Sequence, residues 1–169
     1  KGSFYLTDEE DELLKKVSTS FEKTVVVLNI GSIFDFSWVE KYNIGCVLIL
    51  WQGGMETGNA LADIISGKVS PSGKLSSSIA KKYECYPSAE HFGDKQKNKY
   101  TEDIFVGYRY FETFSPDDVL FCFGHGLTYS DFCISDVKFS EDKDCVKVQA
   151  KITNTGKAAA KEVVQLYCS

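Results

Sequence analysis

The sequence predicts an α/β protein with a largely parallel sheet sandwiched by helices, followed by the first strands of an incomplete Ig-like β-sandwich. Two patterns predict this fold. Residues 8–67 alternate between helical segments and short apolar segments, an order that specifies an α/β fold with right-handed crossovers. From residue 132 onward, apolar and polar residues alternate, as in antiparallel β-sandwiches. We therefore expect an α/β domain over 1–130 and a partial β domain over 131–169.

The first helix is predicted from a capping box at its start. In Thr7-Asp8-Glu9-Glu10 the threonine hydroxyl can accept from a first-turn amide, and the Glu10 carboxylate can reach back to the Thr7 amide. Apolar residues then recur at helical spacing. These residues are Leu13, Leu14, Val17 and Phe21.

Two strands follow, separated by a short helix. Residues 24–30 and 45–51 are short, continuously apolar runs, typical of parallel strands that are buried on both faces. We expect the intervening helix over 35–41. A third helix is predicted over 55–65, with Gly67 as its C-cap.

After residue 67 the pattern is less regular. We expect a turn at 70–73, a short strand over 74–79, a long polar surface loop over 81–99 and an aromatic-rich strand over 103–111. Alternating runs around 134–139, 146–152 and 163–167 predict three β-strands, whereas an Ig-like sandwich needs about seven.

Composition excludes several function classes. The net charge of −5 argues against nucleic acid or an anionic membrane as a partner, because both favour a basic face. No apolar run approaches the roughly 20 residues needed to span a bilayer. Two histidines and six cysteines without a Cys-x-x-Cys pair give little support for a metal site. We expect the cysteines to be free, apolar core residues, which favours a reducing, cytoplasmic compartment.

Two loops are predicted at the carboxyl ends of the parallel strands, where α/β sheets bind their ligands. They are Gly31-Ser32 and the segment 52–59. A phosphate cradle is one interpretation. The spacing fits neither a P-loop nor Gly-x-Gly-x-x-Gly, so turn geometry with helix capping by Glu56 is favoured.

A second acidic position is the pair Glu102 and Asp103. A glycosidase needs two carboxylates that flank the scissile bond. Adjacent residues of a strand point to opposite faces, so these two form a poor catalytic pair. We expect Glu102 to pair with Arg109 or to cap the preceding loop, and His125 to be a packed histidine.

Three blocks of sequence, in this order, resemble the second domain of family 3 glycoside hydrolases. They are the stretch from Trp51 to Leu75 (WQGGMETGNALADIISGKVSPSGKL), the stretch from Tyr100 to Phe111 (YTEDIFVGYRYF) and the stretch from Phe123 to Phe132 (FGHGLTYSDF). The tail, with Asn154-Thr155-Gly156 and residues 163–167, resembles the start of the fibronectin-type-III-like domain that often follows.

That resemblance implies a fragment of a retaining β-glycosidase, most simply a β-glucosidase, with no organic cofactor and no metal. It places the aspartate nucleophile in a separate (β/α)8 barrel and the acid/base glutamate just upstream of residue 1, so the α/β domain is expected to be truncated. No residue here inherits a catalytic role. The substrate-cleft candidates are Trp51, Glu56, Glu102 and Asp103.

Two alternatives stay open. A non-catalytic carbohydrate-binding or interaction module would present exposed, coplanar aromatic rings. A small nucleotide-binding α/β protein would hold an anion at the loop 52–59. Because an incomplete β domain leaves strand edges unpaired, we also expect self-association through those edges and an exposed apolar patch.

Overall fold

The computed structural model describes residues 4–168. Within these residues, four α-helices, six strands and two short 3₁₀ helices follow one another, and the strands form three two-stranded sheets. The α-helices are α1 Asp8–Ser20, α2 Ser37–Lys41, α3 Thr57–Ile65 and α4 Tyr108–Phe114, and the 3₁₀ helices are Tyr83–Cys85 and Pro116–Asp118. The strands are β1 Val25–Leu28, β2 Cys46–Ile49, β3 Ile79–Ala80, β4 Val119–Phe121, β5 Phe132–Asp142 and β6 Cys145–Asn154.

The chain divides into two compact units. The first comprises the chain up to Thr57 together with Leu75–His125. The second comprises Gly58–Lys74 together with the chain from Gly126 onward. The first unit therefore contains β1–β4, and the second contains most of α3 and the β5–β6 hairpin. The domain boundary expected at residue 130 stays a prediction.

Helix α1 begins at the predicted capping box. The Thr7 hydroxyl accepts from the Glu10 amide at 3.3 Å, and the Glu10 carboxylate accepts from the Thr7 amide at 2.8 Å. This reciprocal pair satisfies two backbone donors that a helix start leaves unpaired. Helix α1 is joined to α2 by Asp11, which accepts from the Tyr42 hydroxyl at 2.6 Å and from the Lys41 ammonium at 2.9 Å.

Strands β1 and β2 pair in parallel, with Val25 opposite Cys46 and Leu28 opposite Ile49. The crossover between them contains α2, as the sequence predicts. The expectation that both strands are buried on both faces is wrong for the described residues. Val25 is 55% exposed, and the other residues of β1 are half-buried. Two paired strands leave two free edges, whereas a strand inside a wider sheet has neighbours on both sides.

The core of the first unit lies around the α2 crossover. Trp38 is 1% exposed and stacks on Phe36, with ring centroids 5.9 Å apart. The Trp38 indole nitrogen donates to the Asp35 carbonyl at 2.6 Å, so its one polar group is satisfied inside the core. Ile44 and Ile79 complete the buried cluster.

Between residues 67 and 121 the predicted strands are largely wrong. The strand expected over 74–79 shrinks to Ile79–Ala80, which pairs antiparallel with β4. The strand expected over 103–111 is instead a turn followed by α4. The predicted loop 81–99 does lack strands, although a 3₁₀ helix opens it at Tyr83–Cys85.

The alternating residues after residue 132, which predicted β-strands, form one antiparallel hairpin. Strands β5 and β6 pair from Phe132 opposite Asn154 to Asp142 opposite Cys145, with an irregularity after Ser135. The third strand, expected over 163–167, is absent among the described residues, where this segment has no regular structure. Large apolar side chains of the hairpin are exposed, and Phe139 is 67% exposed.

All six cysteines are free, as expected, but their predicted burial is wrong. Cys85 is half-buried, and the other five are exposed. In β1–β2 and in the hairpin, the apolar runs that suggested burial lie on two-stranded sheets with open faces. Within residues 4–168, the helices are too short and too polar to cross a membrane.

The second unit relies on close backbone approach and polar contacts. A methyl group on Gly126 would lie 2.4 Å from the Gly73 carbonyl oxygen, so only glycine fits there. The Ser70 and Thr128 hydroxyls are 2.7 Å apart, and the Tyr129 hydroxyl donates to the Ile64 carbonyl at 3.0 Å. These contacts bring the predicted turn at 70–73 against the segment after Gly126.

We expect Gly126→Ala to destabilise the protein by about 1–3 kcal/mol, because its methyl group would collide with backbone that cannot rotate away. Gly54→Ala is the matched control, since its methyl group would meet nothing within 4 Å. Chemical denaturation of both variants measures the difference. Equal stability of the two would show that the turn at Gly73 shifts freely.

The hydrogen bond from Tyr42 and the Lys41 ammonium hold the pKa of Asp11 below its ordinary value. A lowered folded-state pKa stabilises the fold above the unfolded-state pKa of about 3.9, and this stabilisation is lost as the pH falls through the folded-state value. We therefore expect Asp11→Asn to melt below wild type at neutral pH. The difference in melting temperature between the variant and wild type should shrink in acid. A difference that stays constant with pH would contradict this role of Asp11.

Candidate functional site

The four cleft candidates lie in the first unit, in two separate stretches of chain. Trp51 and Glu56 lie in the connection from β2 to α3. Glu102 and Asp103 lie in the turn that precedes α4. Each pair is positioned by the element next to it.

Trp51 follows β2 directly and has a left-handed backbone conformation, with φ of 53°. This conformation is uncommon for a bulky residue and costs on the order of 1–3 kcal/mol. The Trp51 side chain is half-buried. Strain of this kind at the carboxyl edge of a parallel sheet is compatible with a functional position.

The connection after Trp51 ends where α3 begins, at Thr57. The Thr57 hydroxyl donates to the Gly54 carbonyl at 2.6 Å, and the Thr57 amide also donates to it, at 3.2 Å. The helix was expected to begin at 55, so Met55 and Glu56 lie outside it. Both are exposed, and Met55 is 100% exposed.

The loops after β1 and β2 meet, as parallel pairing requires. A methyl group on Gly31 would lie 2.9 Å from the Gln52 side-chain nitrogen, so the Gln52 amide lies over Gly31. The sequence placed both loops at this edge but did not single out Gln52. Two features of the sequence could have indicated Gln52. It follows Trp51 directly, and the glycine in the facing loop, Gly31, leaves room for a side chain.

Glu102 and Asp103 do not lie on a strand. The Glu102 carbonyl accepts from the Phe105 amide at 2.8 Å, and Asp103 has φ of 47°. The strand geometry that was expected to separate their side chains is therefore wrong. Glu102 is half-buried and Asp103 is exposed.

Helix α4 comes after this turn, and aromatic residues at helical spacing pack it against other parts of the first unit. Phe111 is 2% exposed and meets the Tyr86 ring at 5.8 Å, while Tyr108 lies 5.0 Å from the Phe123 ring. Tertiary contacts thus bury Phe111 and partly bury Tyr108, and they override the β-propensity of this aromatic segment.

The two other residues considered from sequence have packing contacts. The Arg109 guanidinium lies 5.5 Å from the Tyr108 ring centroid, and no ion pair joins Arg109 to Glu102 in the described part of the chain. The His125 ring stacks on Phe121 at 4.9 Å. Both contacts agree with a structural role.

Sequence reasoning missed one buried carboxylate. Asp35 is 7% exposed and accepts from the Ser37 hydroxyl at 2.6 Å and from the Ser37 amide at 3.2 Å. The sequence feature that could have indicated Asp35 is its position two residues before Ser37, where α2 begins. Its partners are local, so it shapes the entry to α2. Within residues 4–168, His, Cys, Asp and Glu side chains form no group of three that could hold a metal.

The model of the glycosyl hydrolase family 3 C-terminal domain matches residues 1–129. The chain belongs to glycoside hydrolase family 3. The three sequence blocks therefore carried a correct assignment. The end of the first block pairs with the start of the third. The Leu75 amide donates to the His125 carbonyl at 2.8 Å, and the Gly124 amide donates to the Leu75 carbonyl at 2.7 Å.

Relatives of this family 3 chain are β-glucosidases. A β-glucosidase from Ruminococcus albus is 46% identical over 166 residues, which are 98% of this chain and 17% of the relative. β-Glucosidase A from Butyrivibrio fibrisolvens is 43% identical over 99% of this chain and 22% of its own length. The chain thus spans about a fifth of these curated relatives.

Solved structures give the same result. A β-glucosidase from Paenibacillus barengoltzii superposes with a TM-score of 0.84 at 44% identity, over 92% of this chain and 18% of that one. β-Glucosidase 3B from Thermotoga neapolitana in complex with glucose superposes with a TM-score of 0.82 at 40% identity, over 92% and 23%. The fold of these two β-glucosidases is therefore shared over 92% of this chain.

Proposed function

We propose that this chain is the second-domain scaffold of a retaining β-glucosidase that hydrolyses terminal β-D-glycosides. The observation that carries the proposal is the 46% identity to a β-glucosidase over 98% of the chain. The part of such a relative that this chain does not match, about four-fifths of its length, is long enough for a separate (β/α)8 barrel. In this proposal the barrel supplies the aspartate nucleophile.

The proposed catalytic groups lie outside the chain. A retaining glycosidase needs two carboxyl groups about 5–5.5 Å apart, on opposite sides of the scissile bond. Glu102 and Asp103 are neighbours in one tight turn, so they cannot flank a sugar from two sides. The buried carboxylate Asp35 is engaged with Ser37, which leaves it poorly placed to protonate a leaving group.

The role left for the candidates is to line the substrate cleft. Trp51 offers a half-buried ring for stacking on a sugar face. Glu56, Glu102 and Asp103 offer carboxylates that can accept from sugar hydroxyls. No cofactor or metal is part of the proposal.

We propose the finer architecture on the same basis. The parallel β1–β2 pair is the start of a helix-covered sheet, and the β5–β6 hairpin is the start of an Ig-like β-sandwich after residue 130. The open faces of both sheets support this, since exposed apolar side chains such as Phe139 are what further strands would cover. Self-association through these edges stays a prediction.

A second candidate function is a carbohydrate-binding or interaction module without catalysis. The exposed rings of Phe92 and Tyr100, at 74% and 88%, favour it, because sugar-binding modules use exposed aromatic rings. It predicts sugar affinity in the isolated chain that Tyr100→Ala abolishes.

The placement of the catalytic groups is tested by assaying the 169-residue chain beside the longest natural polypeptide that contains it, with a chromogenic β-glucoside. We expect turnover by the longer polypeptide and none by the chain, because both catalytic carboxylates lie elsewhere. Turnover by the chain would overturn their placement. An inactive longer polypeptide would overturn the β-glucosidase activity itself.

The cleft role is tested in that longer polypeptide with Trp51→Ala, Glu56→Gln, Glu102→Gln and Asp103→Asn, beside the exposed control Glu90→Gln. Loss of a substrate contact should raise KM and lower kcat/KM by about 10- to 150-fold, because a hydrogen bond to a charged group contributes about 1.5–3 kcal/mol. Loss of a general acid costs about 10²–10⁴ in kcat. A kcat loss near 10⁴ in any variant would make that residue catalytic, and wild-type kinetics in all four would remove them from the cleft.

A further inference from the structure

The side-chain amide of Gln52 lies over the backbone of the facing loop, at the carboxyl edge of the β1–β2 pair. A methyl group on Gly31 would lie 2.9 Å from the amide nitrogen of Gln52, 3.1 Å from its Cδ carbon and 3.4 Å from its oxygen. The amide group therefore occupies the space that a side chain at position 31 would take. Gly31 has no side chain, and this leaves the place in which the amide sits.

The backbone on both sides of Gln52 is constrained. Trp51 before it has φ of 53°, a left-handed conformation that is uncommon for a bulky residue. After it, a methyl group on Gly53 would collide with the Thr57 side chain, whose hydroxyl donates to the Gly54 carbonyl at 2.6 Å. Strained conformations persist where the surrounding structure over-determines them, and they cluster at ligand-binding positions. The contacts of this loop therefore restrict the positions that the Gln52 side chain can take.

A primary amide carries the two kinds of hydrogen-bonding group that suit a pair of neighbouring hydroxyls. Its NH₂ group donates and its carbonyl oxygen accepts, whereas the ionised carboxylates proposed to line the cleft only accept. A sugar hydroxyl can do both, so one amide can pair with two adjacent hydroxyls of one ring. Because the Gln52 amide is already held over Gly31, it loses less conformational entropy on binding than a freely rotating side chain would.

We propose that Gln52 is a specificity-determining residue of the substrate cleft, where its side-chain amide pairs with two neighbouring hydroxyls of a pyranose ring. This assignment rests on the proposed glycosidase function and adds to it the chemical group that is recognised. Gly31 is the platform that orients the amide. The two hydroxyls belong either to the glycosyl group that is transferred or to a sugar leaving group, and the choice of substrates separates these cases.

Steady-state kinetics of the longest natural polypeptide that contains the chain tests the assignment. Gln52→Ala removes both hydrogen bonds, so kcat/KM should fall about 5- to 150-fold, with the loss in KM. Gly31→Ala displaces the amide, which is the flexible end of its side chain, so the protein should fold and lose kcat/KM as Gln52→Ala does. Gly45→Ala is the matched control with wild-type kinetics, since its methyl group would make only an ordinary contact, 3.6 Å from the Thr24 carbonyl oxygen.

Substrate analogues identify the hydroxyls that the amide contacts. The substrates are nitrophenyl β-glucosides that each lack one ring hydroxyl, together with cellobiose. When the substrate has already lost the partner of a hydrogen bond, removal of the amide costs less. We therefore expect the loss caused by Gln52→Ala to shrink for two analogues that lack adjacent hydroxyls. A loss confined to cellobiose, whose leaving group is a second sugar, would place the two hydroxyls in the leaving group.

Two results would overturn the assignment while the glycosidase function stands. One is a fall in kcat/KM by a common factor on every substrate, which would mean that Gln52 only supports the loop. The other is wild-type kinetics of Gln52→Ala on every substrate. A wild-type polypeptide that hydrolyses none of these substrates would instead overturn the proposed function itself, and with it the role of Gln52.

Discussion

Burial of the Trp38 indole is the constraint on which the first unit depends. The β1–β2 sheet is two strands wide and half-exposed, so it cannot by itself provide a core. The α2 crossover provides one, because Phe36 and Trp38 form a buried cluster with Ile79, against which side chains of β1, β2 and β4 pack. The indole N–H donates to the Asp35 carbonyl, and the Asp35 carboxylate in turn accepts from Ser37. Local polar contacts thus set the angle at which a large apolar side chain enters the core.

The second unit is stabilised differently. The fully buried apolar residues of the described chain belong to the first unit, whereas Ser70 and Ser130 are buried in the second. In the second unit, three kinds of contact take the place of a large apolar cluster. They are hydrogen bonds between hydroxyls, the close backbone approach at Gly126, and the ion pair in which the Lys74 ammonium lies 3.0 Å from the Glu162 carboxylate. Such contacts are directional, so they specify one arrangement of loops while they contribute less free energy than an apolar core.

The family blocks are recognisable because they carry backbone geometry. Gly126 permits close approach to the Gly73 carbonyl, Leu75 pairs with the chain at 124–125, and Gly107 is the N-cap of α4 with φ of 62°. None of these needs a catalytic side chain. A chain that spans about a fifth of its relatives can therefore belong clearly to the family.

The sequence by itself determined the features whose physics is local: the capping box of α1, the β1–α2–β2 order and parallel pairing, the C-terminal turn at Gly67, the β5–β6 alternation and the meeting of the loops at Gly31 and Gln52. Tertiary structure decided the rest. Residues 103–111 have strand-like composition, yet Tyr108 and Phe111 lie on helix α4, where Phe111 is buried and Tyr108 packs against Phe123. The apolar runs with their cysteines predicted burial, but burial depends on which layers cover a strand. Periodicity shows which residues share a face, and only the neighbouring elements determine whether that face is covered.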